Sequence, residues 1–66
     1  MVFGERMREL REAKGLTQGD LAEKIGVARP LVCRIEQGTK VPPLMVAAAI
    51  ADTLGTTVDY LLKGEA

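Results

Sequence analysis

An all-α fold of five short helices is what the sequence predicts, and three observations lead there. Glycines at 15, 26, 38 and 55 divide the chain into five segments of roughly helical length. Within each segment the apolar residues recur at spacings of three and four, and none sustains the apolar/polar alternation of a half-buried strand.

In the first segment Phe3, Met7, Leu10 and Lys14 fall on one helical face, with Glu5, Arg6, Arg8, Glu9 and Glu12 left for the solvated side. Gly15 supplies the stop. Thr17 and Asp20 have the spacing of a capping box, so a second helix starts at Gln18, turns Leu21, Ala22 and Ile25 inward and exits at Gly26. The third runs from Ala28 or Arg29 to Gln37, with Val32 and Ile35 inward and Gly38 as its stop. Pro30 fits because the first turn has no use for its missing amide. The fourth runs from near Pro43 to Leu54 and turns Leu44, Ala47, Ile50, Ala51 and Leu54 to one face. Thr57 caps a last helix that buries Val58, Leu61 and Leu62 and frays over 63–66.

Composition excludes more than it selects. At 66 residues and 7.1 kDa the chain is expected to form one domain. Its residues are 47% hydrophobic but 3% aromatic, which allows an aliphatic core and offers no ring platform on which to stack unpaired bases. Histidine is absent and there is a single cysteine. Internal disulfides, zinc sites and hydrolytic triads are therefore excluded, and no metal, cofactor, small-molecule ligand or enzymatic activity is expected. The longest uncharged stretch, Val41 to Ala51, is far short of the roughly 20 residues of a membrane span, and no leader peptide is evident, so a soluble intracellular protein is expected.

Nine basic and nine acidic residues cancel, but not locally. Residues 24–40 carry four basic groups and one acidic, a net +3 between ends of −1 and −2. That segment overlaps two short helices joined by a tight turn at Gly26 and Val27, the layout of a helix-turn-helix. With Val32 and Ile35 inward, the third helix presents Arg29, Pro30, Cys33, Arg34 and Gln37 outward. Arginine can grip guanine O6 and N7 with two hydrogen bonds, which makes Arg29 and Arg34 the candidate base readers. Gln18 stands where exposed amides and the positive end of the helix dipole favour a phosphate. Thr17 is first a cap and second a DNA contact, while Thr39 and Lys40 would hold the backbone across the groove. Arg6, Arg8 and Arg11 alternate with glutamates and read as helix-surface pairs.

The stretches Gly15-Leu16-Thr17-Gln18, Leu21-Ala22, Ile25-Gly26-Val27, Ile35-Glu36-Gln37-Gly38, Pro42 with Leu44, and Ile50-Ala51 with Leu54-Gly55 extend the pattern beyond two helices. Together they resemble the phage-repressor type of helix-turn-helix family, which includes the Cro and lambda repressor DNA-binding domains and many small bacterial regulators. The resemblance covers Arg6 to Leu62. It implies a five-helix domain whose third helix enters the major groove of double-stranded DNA, in a cytoplasmic, nucleoid-associated regulator of bacterial or phage origin. It also implies that the positions of Arg29, Pro30 and Arg34 reach base edges with Cys33 beside them, and that those of Arg11 and Glu36 form a partly buried ion pair. The chain departs from the family at Ala28, which cannot cap, and at Pro30 and Leu31, which point to contact with a thymine methyl. Val41 in the following loop leaves few phosphate ligands there, so modest affinity and a shallow salt dependence are expected.

Met45, Val46 and Ala49 lie off the apolar stripe of the fourth helix and have no assigned partner. A two-fold homodimer contact near helices four and five is the expectation for them. The reading is thus a single helix-turn-helix domain over 1–66, with the motif at about 17–37, acting as a sequence-specific regulator on a palindromic site. The alternative is a protein-interaction module, such as an antitoxin or anti-regulator, built on the same fold.

Overall fold

A computed structural model describes residues 2–64 of the chain. Helices α1 (Val2–Ala13), α2 (Gln18–Ile25), α3 (Arg29–Gln37), α4 (Leu44–Leu54) and α5 (Val58–Lys63) follow in order, with no strand among the described residues. The core is aliphatic apart from Phe3: Met7, Leu21, Val32, Ile35, Ile50 and Leu61 are its largest fully buried side chains.

Local chemistry sets each boundary. The Thr17 hydroxyl accepts the Asp20 amide at 3.0 Å, and the Asp20 carboxylate accepts the Thr17 amide at 2.9 Å, so α2 opens on a complete capping box. The Thr17 oxygen and the Asp20 carboxylate thereby satisfy two amides that helix geometry leaves free. Gly26, Gly38 and Gly55 close α2, α3 and α4 in the left-handed conformation that side-chain-bearing residues adopt at a cost. Ala28 stands before α3 without a side-chain cap, and Pro30 lies in the first turn. Thr57 caps α5 through the Tyr60 amide at 3.0 Å.

The bonds from Thr17 hold the exposed Asp20 carboxyl below its ordinary value of 3.8. A carboxylate favoured by folding stabilises the native state above its unfolded pKa and loses that contribution as the pH falls through the folded one. The melting temperature of the parent should therefore drop more steeply on acidification below about pH 4 than that of Asp20→Asn, as followed by circular dichroism. Parallel curves for the two would remove the capping carboxylate from the acid response.

Three expected core positions are corrected. Leu44, the first residue of α4, is 77% exposed and lies at the edge of the core, while Ala47, Ile50, Ala51 and Leu54 make the buried stripe. Leu62 is 55% exposed, since only Leu61 of the short α5 points at the core and Val58 packs at its margin. Lys14 is exposed beyond the end of α1, whose buried stripe runs Phe3, Gly4, Met7 and Arg11. Lys63 closes α5 rather than fraying from it, and residues 65 and 66 lie outside the described part.

The two ends of the described chain meet. Arg6 Nη1 of α1 donates to the Leu61 carbonyl of α5 at 3.3 Å, and its guanidinium lies 6.0 Å from the centre of the Tyr60 ring. A cation at that end of a helix complements the carbonyl dipoles left without partners.

Candidate nucleic-acid interface

Helices α2 and α3 form the helix-turn-helix, and a polar cluster at its back holds it to α1. Arg11 Nε donates to Glu36 Oε2 at 2.7 Å and Nη2 to Oε1 at 3.1 Å, a two-pronged pair between α1 and α3. The third prong, Nη1, donates to the Leu16 carbonyl at 2.7 Å, just before α2. Gln18 Nε2 completes the cluster by donating to Glu36 Oε1 at 3.0 Å. The Arg11 and Glu36 side chains are 9% and 4% exposed, so the charges are largely out of water and satisfied by each other. The hydrogen bond with Glu36 raises the arginine pKa, outweighing the opposing effect of burial.

With Glu36 turned back into the domain, the other side of α3 is free. Arg29, Pro30, Arg34 and Gln37 are exposed, and Cys33 is half-buried among them. A side chain built on Gly19 would lie 3.8 Å from Arg29 Cδ, so the stem of Arg29 runs back across the start of α2. Thr17 is exposed, with its hydroxyl engaged in the cap. The half-buried Gln18 spends one amide hydrogen on Glu36 and keeps a second donor and its carbonyl oxygen. Thr39 donates its hydroxyl to the Arg34 carbonyl at 3.2 Å, while Lys40 beside it is exposed and forms no salt bridge among the described residues. Arg29, Pro30, Cys33 and Arg34 thus share the outer side of one helix, Thr17 and Gln18 stand at the entrance of α2, and Thr39 and Lys40 follow the exit of α3.

The apolar residues without a core role lie differently from the expectation. Of Met45, Val46 and Ala49, only Met45 is freely exposed, at 79%. Val46 packs against the core and Ala49 is half-buried. The exposed apolar side chains Val41, Leu44 and Leu62 instead surround a shallow groove floored by Phe3 and Ala47, which Met45 does not line. Val41 and Leu44 border the loop into α4, and Leu62 comes from α5, so a search along one helix could not assemble them.

Gly4 also escaped the sequence reading. It is buried on the same stripe of α1 as Met7 and Arg11, where α1 crosses the last turn of α3. A Cβ on it would overlap the Ile35 carbonyl oxygen and come within 2.8 Å of the Glu36 carbonyl oxygen and 2.9 Å of the Glu36 Cα. The available signal was Gly4 itself, a residue about 1 kcal/mol worse than alanine within a helix, inside a segment otherwise rich in helix formers.

Comparison with known proteins agrees with this geometry. A family profile described as a helix-turn-helix domain matches residues 2–61. The chain is 38% identical to the uncharacterized HTH-type transcriptional regulator YqaE of Bacillus subtilis over 97% of its own length and 55% of that protein's. It therefore spans about half of that relative. Its backbone matches the P22 c2 repressor protein in complex with a synthetic operator at a TM-score of 0.94, with 29% identity and 98% of both chains covered. SinR, the master regulator for biofilm formation, known from Bacillus subtilis, matches in complex with DNA at a TM-score of 0.86, with 31% identity over 92% of this chain and 98% of that one.

Proposed function

The chain belongs to the helix-turn-helix domain family, and on that premise we propose that it is a sequence-specific DNA-binding domain of a transcriptional regulator, reading the major groove with α3. One observation carries the reading: α3 buries its only carboxylate against Arg11 and leaves Arg29 and Arg34 on its exposed side. An acidic group on that side would repel the phosphates, and two guanidiniums there match the donor geometry that guanine accepts. Pro30 and Cys33, between the arginines, supply apolar contact of the kind a thymine methyl takes. Gln18, with the amides at the start of α2, and Thr17, Thr39 and Lys40 hold the phosphates on either side. Residues 1–66 act as one such domain, and the chemistry is binding rather than catalysis. Similarity to regulators whose structures contain operator or other DNA supports this assignment.

The test is selection of bound duplexes from a random pool, followed by gel shifts on the recovered sequence and a scrambled version. Enrichment of a discrete motif is the expected result. Recovery of the input pool unchanged would overturn the reading and favour the protein-interaction module, which a stoichiometric partner in pull-downs would then support.

Two copies on a palindromic site complete the proposal. The exposed Val41, Leu44 and Leu62 around that groove form a patch that would lose water against its own symmetry mate, which is the requirement of a two-fold contact. So few side chains fall well short of the roughly 20 residues a side of a standard interface, and association is therefore expected to be weak without DNA and strong on it. Light scattering should find monomers at micromolar concentration and two chains per selected duplex, with half-sites about 34 Å apart. One chain per duplex at saturation would reject the dimer.

A further inference from the structure

Two contacts hold the last turn of α3 on α1, and they differ in kind. Arg11 grips the Glu36 carboxylate and also the Leu16 carbonyl at the entrance of α2, so it ties α1 to both helices of the motif. Gly4 stands seven residues earlier, two turns along the same buried stripe, and there the α1 backbone lies directly against the backbone of residues 35 and 36. The neighbouring atoms are main-chain carbonyls and a Cα, so no rotamer change could clear room for a methyl group. Gly19, the glycine inside α2, differs, because a Cβ there meets nothing nearer than 3.7 Å.

We propose that Gly4 is a positioning residue for base reading: its bare backbone sets how closely the end of α3 approaches α1, and so holds Arg34 in register with the groove. The inference rests on the reading of α3 as the helix that contacts DNA. A wedge at residue 4 cannot simply lift α1 away, because Arg11 anchors α1 to the start of α2 and the end of α3 at once. The displacement therefore levers α3 against α2, and Arg34 precedes the two crowded residues directly. Two-pronged hydrogen bonding to a base edge tolerates only about half an ångström of misplacement, whereas the flexible ammonium of Lys40 follows a phosphate over a wider range. Specific binding is lost first, and non-specific binding persists.

The experiment compares Gly4→Ala with the parent on two duplexes, the selected site and its scrambled version, at one salt concentration. Trimethylamine N-oxide is added to both proteins to favour the folded state, with circular dichroism checking that the variant folds. The ratio of the two affinities cancels any change in folded fraction, since both duplexes draw on the same folded protein. Gly4→Ala should lower that ratio about tenfold or more, in line with the losses that misplacements near an ångström cause at other sites. Leu61→Val, which loosens the core from α5, should leave it unchanged. Equal weakening on both duplexes, however large, would overturn the proposal and make Gly4 a stability position only. A parent that selects no motif would instead overturn the DNA-reading assignment itself.

Discussion

Glutamine in place of Glu36 should lower the stability of the domain by about 3 to 5 kcal/mol. The substitution keeps the shape of the side chain and removes its charge, leaving the Arg11 guanidinium in a site where it is 9% exposed with no counter-ion beyond Glu12 at 3.9 Å. Glutamine also replaces one of the two oxygens that now accept Arg11 and Gln18 with an amide donor. Domains hold about 0.05 to 0.15 kcal/mol per residue, so a chain of 66 residues loses much of its total stability in this one step. Thermal unfolding should show it as a fall of more than about 10 °C. Adding Arg11→Met to Glu36→Gln should recover part of the loss, because no charge is then stranded. A single variant melting within about two degrees of the parent would mean that water reaches the pair and that it contributes as little as a surface bridge.

Arg29→Ala and Arg34→Ala should each weaken binding to the selected site by about 1 to 3 kcal/mol and relax the preference at particular base pairs. Lys40→Ala should fail differently, weakening selected and scrambled duplexes alike and reducing the slope of log affinity against log salt by about one unit. Gln18→Ala belongs with the lysine in its indifference to sequence. It differs in salt response because the side chain is neutral, and it carries a stability component because the amide also braces Glu36. Gel shifts over a salt series, with selection repeated on each arginine variant, separate the two patterns. Arginine variants with the parent's affinity and motif would remove α3 from the role of reader.

Helix starts, stops and the inward stripes of α2 and α3 were legible because single residues announce them. Thr17 with Asp20, and the glycines after α2, α3 and α4, act within one turn of chain, and local rules suffice for them. The outward side of α3 followed from subtracting Val32 and Ile35. What the sequence concealed depends on elements far apart in the chain. Leu44 and Leu62 satisfy the apolar spacing of their helices but sit where those helices pass the edge of the core, which periodicity alone does not register. The engagement of Gln18 with Glu36 spans 18 positions and two helices, and a glutamine at a helix start reads the same with or without it. Gly4 carries no side chain on which a pattern could act; its role exists only where α1 and α3 cross.

The clamp of Arg6 on the end of α5 also bears on the order in which the domain assembles. Its partners are 55 positions apart, so this contact closes nearly the whole chain into a loop, whereas the capping box of α2 and the glycine stops form within neighbouring turns. Loop closure costs entropy before it returns any contact energy, and the longest loops return it last. Docking of α5 on α1 is accordingly expected late on the folding path, so strengthening or weakening it should act mainly on the rate at which the native state opens rather than on the rate at which it forms. The lifetime of the folded domain should then respond most to changes where its two ends join, on a different element from the one proposed to read DNA.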